Sequence, residues 1–491
     1  MEAIQDVSWT ILAVVIVYMI VIVGMSLYFS RRQSGMSDYY VAGRQIPFFV
    51  MAFSLTASTM SGWGFVGMPG LVYSHGWSIG ACIGGGAATG MILSYFLLAK
   101  PMRFCSEKFG SLTVPVILEM RFNSKYVRAI AALAVFAGCV GYQSAQYKAL
   151  ANTLQAIFSI AYLPALFLGV FVLIFYTVLG GIKTVVWTDF LETSIMLVAA
   201  IFALVIGLHV CGGLTSANET LASVNPDFTK LIHETGPTTA IGVIGLFILL
   251  GLGYMGQPHV MTKFYTIEQK IQLKWAALFS IVSFLIVITA YYMGIWQKVL
   301  EIQGQVPALS DPDLAAPTFV RNYLPTLLSG VVFAGVLAAI FSTCGSFLIV
   351  ASSAIVRDFI QQIILKRDMS RKEELRWSRG ITILVILLTL SFTIRPVTLV
   401  GWLGVASWGL FAATLTPALV IGLWWRKATP KAAIVSTTIG LFGGLILFAL
   451  KQFGIYTFSL DPLALTFVCS SFAMVIISLI TKAQPNAYFK Q

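Results

Sequence analysis

Apolar runs of about twenty residues recur from one end of this chain to the other. Each is long enough to cross a hydrocarbon core of about 30 Å as a helix. Of the 491 residues, 58% are hydrophobic and 10% charged, against about 25% charged in a soluble protein. The fold class this dictates is an all-α polytopic membrane protein, because lipid offers no partner to an unpaired backbone amide or carbonyl. About thirteen transmembrane helices are expected, near 8–29, 46–73, 77–99, 128–159, 162–181, 188–211, 239–264, 275–297, 325–356, 378–396, 398–425, 431–451 and 460–481. The first run follows Glu2 and Asp6 rather than basic residues, so it reads as a retained helix and not a cleaved leader.

Lysine and arginine set the expected orientation. With the N-terminus outside and the C-terminus cytoplasmic, all but six of the 31 basic residues fall on the inside; the six are Lys148, Lys230, Lys298, Arg321, Arg395 and Lys451. A chain of this kind belongs in a cell membrane, most simply the bacterial inner membrane. The net charge of +12 is then a topology signal, and nucleic acid is excluded as a partner. Lys148 lies far enough along its span to snorkel to the outer surface. The six cysteines form no CxxC and read as packing residues. No HExxH and no nucleophile–base pair is present, so an enzyme is not expected. The implied partners are the lipid bilayer and a small-molecule substrate, with no obligate protein partner.

Two stretches break the apolar pattern. AFSLTASTMSGWGF (Ala52–Phe65) and AAIFSTCGSFLIVASS (Ala338–Ser353) place hydroxyls and small residues where lipid-facing Leu or Val belongs. Such backbone survives at membrane depth only inside a bundle or beside a cavity. Carbonyls of one helix and hydroxyls of another make an all-oxygen site for a small hard cation, which points to ion-coupled transport. Ala339, Ser342 and Thr343 stand at i, i+3 and i+4, on one helical face. The second span is interrupted at Ser58–Gly64 and the seventh at GLGYMGQP (Gly251–Pro258), where three glycines and a proline melt a helix rather than pack it. The two breaks are five spans apart, the signature of an inverted repeat. The expected organisation is an extra helix and inner loop over 1–45, a first repeat over 46–212, a second over 213–428, and two extra helices with a short tail over 429–491.

Read in order, YVAGR (Tyr40–Arg44), ASTMSGW (Ala57–Trp63), LGGIKTVVWTD (Leu179–Asp189), GLGYMGQPH (Gly251–His259), AAIFST (Ala338–Thr343) and WGLFAATLTP (Trp408–Pro417) resemble the sodium/solute symporter family. The likeness is strongest to its sodium/proline branch and runs over nearly the whole length. It implies a LeuT-type core of inverted five-helix repeats. It also implies one coupling Na+, held by the carbonyls of Ala57, Met60 and Ala339 and the hydroxyls of Ser342 and Thr343. Relatives with a second sodium site use the residue matching Asp189 with three serines; Ser342 and Ser346 are present here, but the third position is Gly345. Glu192, one turn after Asp189, stands where the proline branch has Gln. It is open to pairing with Lys183 or Arg44, to carrying a proton, or to being a partly hydrated carboxylate near the inner mouth.

Substrate is expected at the two breaks, where half-helix ends favour a carboxylate. The candidates are Ser61, Gly62, Leu250, Tyr254, Gln257 and Pro258, with Tyr142 and Gln146 from the fourth span and Trp408 and Phe411 from the eleventh. His259 reads as structural. The proline branch has Trp where this chain has Leu250, and Asp where it has Thr59, so the solute is expected to be a small carboxylate or amino acid with proline as first guess. The alternatives are a proton-coupled symporter of the same fold and a solute sensor lacking net transport.

Overall fold

The computed structural model describes residues 8–30, 42, 45–109, 113–177, 182–396 and 398–482. They form helices and their connections, with one isolated bridge between Ile46 and Ile267. The helices that position the site are α1 (Trp9–Ser30), α2 (Phe48–Gly62), α3 (Met68–His75), α4 (Trp77–Ser94), α5 (Lys125–Phe158), α6 (Tyr162–Thr177), α7 (Ile182–Val210), α8 (Ala240–Leu246), α9 (Pro258–Met261), α10 (Leu273–Val287), α11 (Thr326–Ser353), α12 (Arg371–Thr393), α13 (Val400–Trp424), α14 (Pro430–Thr438) and α15 (Pro462–Ile480).

Among the described residues, 11 helices are long and apolar enough to cross a membrane, and the bent pair Ala240–Gly256 and Pro258–Tyr265 makes a twelfth. The span expected at 162–181 is the shorter helix α6, so the count of thirteen rests on a helix below full crossing length. YVAGR and part of LGGIKTVVWTD lie outside the described residues.

Burial varies widely among the helices. The span Phe48–His75 is 89% buried and Val400–Trp424 is 83% buried, whereas Arg371–Thr393 is 11% buried. Residue choice explains the difference. The small and hydroxylated residues of α2 allow neighbours to approach its backbone from all sides. The side chains of Ile383, Leu384, Leu387 and Phe392 on α12 face outward, as lipid requires. Close approach is literal where α3's lead-in meets α13: a Cβ on Gly67 would stand 2.6 Å from the Gly401 amide nitrogen. Helix ends are satisfied locally, by the Ser124 hydroxyl on the Val127 amide at the start of α5 and by a reciprocal Ser370–Glu373 capping box at the start of α12.

Candidate functional site

The first break falls at Ser61, inside the interval expected from sequence. Its φ of 42° and ψ of −165° lie outside any helical region, and the non-glycine residue pays for this with side-chain bonds. Ser61 Oγ pairs with Tyr142 OH at 2.9 Å and accepts from Gln146 Nε2 at 3.0 Å. Gln146 Oε1 in turn accepts the Gly62 amide at 3.1 Å. Four of the expected solute residues, Ser61, Gly62, Tyr142 and Gln146, are thus brought into one network between α2 and α5. They satisfy one another.

The second break is built differently. After α8 the chain winds wide over Phe247–Gly251 and tight over Leu252–Gly256, then turns extended at Gln257 before Pro258 starts α9. Gln257 Nε2 donates to the carbonyls of Gly253 and Trp408, each at 3.1 Å, which ties the break to α13. Gln257 Oε1 is buried without a partner. The Tyr254 hydroxyl meets Thr59 Oγ1 at 2.7 Å, joining the two broken helices directly.

Aromatic rings close over this junction. Trp408 stacks on Trp63 and meets the edge of Tyr254, both at 5.5 Å between centroids. Tyr142 stacks on Phe347 at 4.8 Å, and His259 sits 4.5 Å from the same ring. Phe411 stacks on the far side of Phe347 at 6.5 Å. His259 is therefore a wall of the aromatic cluster as well as part of a family motif. Leu250 and Tyr254 both turn their Cβ atoms onto α4, at Gly86 and Gly90, and of the expected solute residues Pro258 borders the cavity described below.

The charged groups assemble between α7, α9's continuation and α11. Asp189 Oδ2 accepts from Ser54 Oγ at 2.6 Å and from Lys263 Nζ at 2.8 Å, with both partners of the ion pair almost wholly buried. Ser342 Oγ lies 3.3 Å from Asp189 Oδ1, 3.1 Å from Glu192 Oε2 and 3.3 Å from its own Ala339 carbonyl. Glu192 is fully buried, so it is not the partly hydrated carboxylate expected near the inner mouth. The low dielectric and the packing of α7 against α11 enclose it. Arg44 and the side chain of Lys183, its expected partners, lie outside the described residues. Lys263 and Ser54 were not singled out from sequence. A buried carboxylate demands a partner, but no local pattern joins Asp189 to Lys263, 74 residues later.

The expected sodium ligands fall at the same junction. The α2 break packs on Ile340 of α11, against which a Cβ on Gly62 would collide. Thr343 and Ser346 border a cavity together with Ser58, Asp189, Pro258 and His259. The Met60 carbonyl accepts the Trp63 amide, and Ala57 is buried one turn before the break. This cavity runs from the breaks toward Thr113 and Asp358.

The opposite end is shut. Lys148 of α5 does not snorkel outward: it is 4% exposed and bonds Asp313 Oδ2 at 2.6 Å, with Asp311 at 3.3 Å. The connection carrying these aspartates folds back into the bundle, so a buried anion meets the lysine before solvent does. Asp313 Oδ2 also accepts the Val400 amide at 2.9 Å, at the N-terminus of α13, where a negative charge is favoured. Burial pushes the Asp313 carboxyl up to about 6 despite the neighbouring lysine.

The family model for the sodium:solute symporter family matches residues 39–440. The chain belongs to this family. Among curated relatives it is 27% identical to the osmoregulated proline transporter OpuE of Bacillus subtilis, over 96% of this chain and 95% of that protein. It is 29% identical to the sodium/proline symporter of Haemophilus influenzae, over 95% of this chain and 93% of the relative. Among solved structures, a Na+-coupled sialic acid symporter in a substrate-bound outward-open state matches with a TM-score of 0.80 at 20% identity, covering 98% of this chain and all of that one. The fold is accordingly the LeuT-like one that the family resemblance implied. The chain is a multi-pass membrane transporter of the sodium-coupled symport class, and not an enzyme.

Proposed function

We propose that this symporter carries a small amino acid, with proline as the first candidate, together with one sodium ion, and that the structure is an inward-facing state. The observation that carries this reading is the meeting of two helix breaks at Thr59–Tyr254, inside a ring of aromatic side chains and beside the hydroxyls of α11. Half-helix ends at such a break offer amides to a carboxylate, while Trp408, Tyr254 and Phe347 supply faces for an apolar body. The names of the curated relatives support proline.

In this reading the ion binds at Ala57, Met60, Ala339, Ser342 and Thr343, between α2 and α11. Its arrival draws the α2 break toward α11 and pre-forms the solute site, so solute binds more tightly to the sodium-loaded protein. The N-terminus lies outside and the C-terminus inside. The one-sided cavity and the sealed Lys148–Asp313 end fit alternating access, in which only one entrance is open at a time.

The test is uptake of labelled proline into proteoliposomes under an inward sodium gradient. One charge falling through 100 mV supplies about 2.3 kcal/mol, so accumulation should follow both the gradient and the voltage. Competition by other unlabelled amino acids and monocarboxylates identifies the preferred solute. Uptake driven equally well by a pH gradient without sodium refutes the reading and makes the protein a proton symporter.

A further inference from the structure

Of the full-length apolar helices among the described residues, α12 is the least enclosed, at 11% buried. Its first turns, RKEELRWSRG (Arg371–Gly380), hold four basic and two acidic residues, and the two signs point in different directions. Glu373 is taken up by Arg367 at 2.9 Å and by the capping box with Ser370. Glu374 accepts from Arg357 Nε, in the segment that continues α11. The Ser352 hydroxyl of α11 donates to the Ser378 carbonyl at 3.2 Å and ties the same turns to the bundle.

The cations on the other side are left over. Lys372, Arg376 and Arg379 are exposed, and among the described residues their side chains have no partner. At 3.6 residues per turn they fall within a sector of about 60°, with steps of about 6 and 4.5 Å along the axis. Ile383, 58% exposed, lies in that sector, and Leu387, equally exposed, lies at its edge. The basic column therefore runs into the strip of α12 that faces acyl chains. Trp377, 46% exposed between the cations, sets this depth at the membrane–water interface, where indoles collect. A topology signal needs only the count of lysine and arginine on one side of the membrane. It does not require that the cations share a face, that the acids of the same segment be neutralised elsewhere, or that the face continue as apolar surface.

We infer that this face of α12 is a binding site for an anionic glycerophospholipid. Its phosphate sits on Arg376 and Arg379, the polar end of its headgroup lies within reach of Lys372, and its acyl chains run along Ile383 and Leu387. Arginine suits the phosphate because a guanidinium donates two parallel N–H bonds to it. Each basic residue near an anionic membrane surface strengthens binding by about fivefold. A zwitterionic phosphoethanolamine brings its own ammonium against Lys372 and gains far less. A lipid held here braces α12 through the turns that α11 already ties from the other side.

The test titrates the full-length protein in detergent with phosphatidylglycerol or with phosphatidylethanolamine of the same chain length. Bound lipid is read by native mass spectrometry and its effect by thermal unfolding. Phosphatidylglycerol should bind roughly tenfold more tightly than phosphatidylethanolamine and raise the unfolding temperature more. Arg376→Gln and Arg379→Gln should each weaken phosphatidylglycerol binding about fivefold, and adding Lys372→Gln to both should abolish the preference. Arg376→Lys, which keeps the charge but not the paired donors, should lose less than Arg376→Gln, and it serves if a Gln variant does not fold. Lys366→Gln removes one exposed charge from the connection before α12, off this face, and should leave binding unchanged. An equal loss from Lys366→Gln shows that charge count alone attracts the lipid and overturns the site, as does a triple variant that keeps the preference. Displacement of the lipid by millimolar inorganic phosphate at constant ionic strength also overturns it, because the site is then one for a free anion.

Discussion

Lys148→Met should spring the closed end of the bundle open. The lysine's Nζ lies 2.6 Å from Asp313 Oδ2, and the aspartate side chain is fully buried. Removing one partner of a buried pair costs about 3–5 kcal/mol, because the other charge is left without compensation. That penalty falls on the closed state alone, since opening hydrates Asp313. At about 1.4 kcal/mol per factor of ten, the equilibrium between closed and open outer entrances shifts by roughly two to three and a half powers of ten. Leu71 packs on Gly401 at the seam between α3 and α13, so a cysteine there reports separation of the two helices. In a background lacking the six native cysteines, Leu71→Cys should react with a membrane-impermeant maleimide far faster when Lys148→Met is also present. Adding Asp313→Leu should restore slow labelling, because no unpaired charge remains. Equal labelling rates with and without Lys148, at matched surface expression, would refute the argument that this pair holds the entrance shut.

Lys263→Met should destabilise the protein by about 3–5 kcal/mol for the same reason, since it leaves Asp189 with only hydroxyl partners. Thermal unfolding should show the loss, Lys263→Arg should largely avoid it, and a Met variant as stable as wild type would contradict the pairing. Acid should favour the closed outer entrance. Asp313 holds its proton up to about 6 when buried, against an ordinary 3.8, so between these values the closed state binds a proton that the open state releases. Linkage then stabilises closure by about tenfold at pH 5, read as slower labelling of Leu71→Cys as the outside pH falls from 7 to 5; faster labelling would reverse the assigned sign.

Much of the architecture was legible because its rules act along the chain. Lipid forces helices, helix length is set by bilayer thickness, and glycine with proline in eight residues cannot stay helical whatever surrounds it. The break at Ser61 and the bend at Gln257 therefore stand where the sequence pattern put them. The i, i+3, i+4 hydroxyl face of α11 was legible for the same local reason. Partnership was not legible, because it depends on which helices touch. Nothing along the chain joins Lys148 to Asp313, 165 residues later, and a lysine near a span end reads as solvent-bound until the connection that covers it is folded back. Leu250 and Tyr254 share a face in the sequence, but only the packing of α4 decides that this face abuts Gly86 and Gly90. The cost of burying charge ties these cases together. It has no local expression, and only the tertiary structure determined that Asp189 pairs with Lys263 while Glu192, one turn along the same helix, faces Ser342.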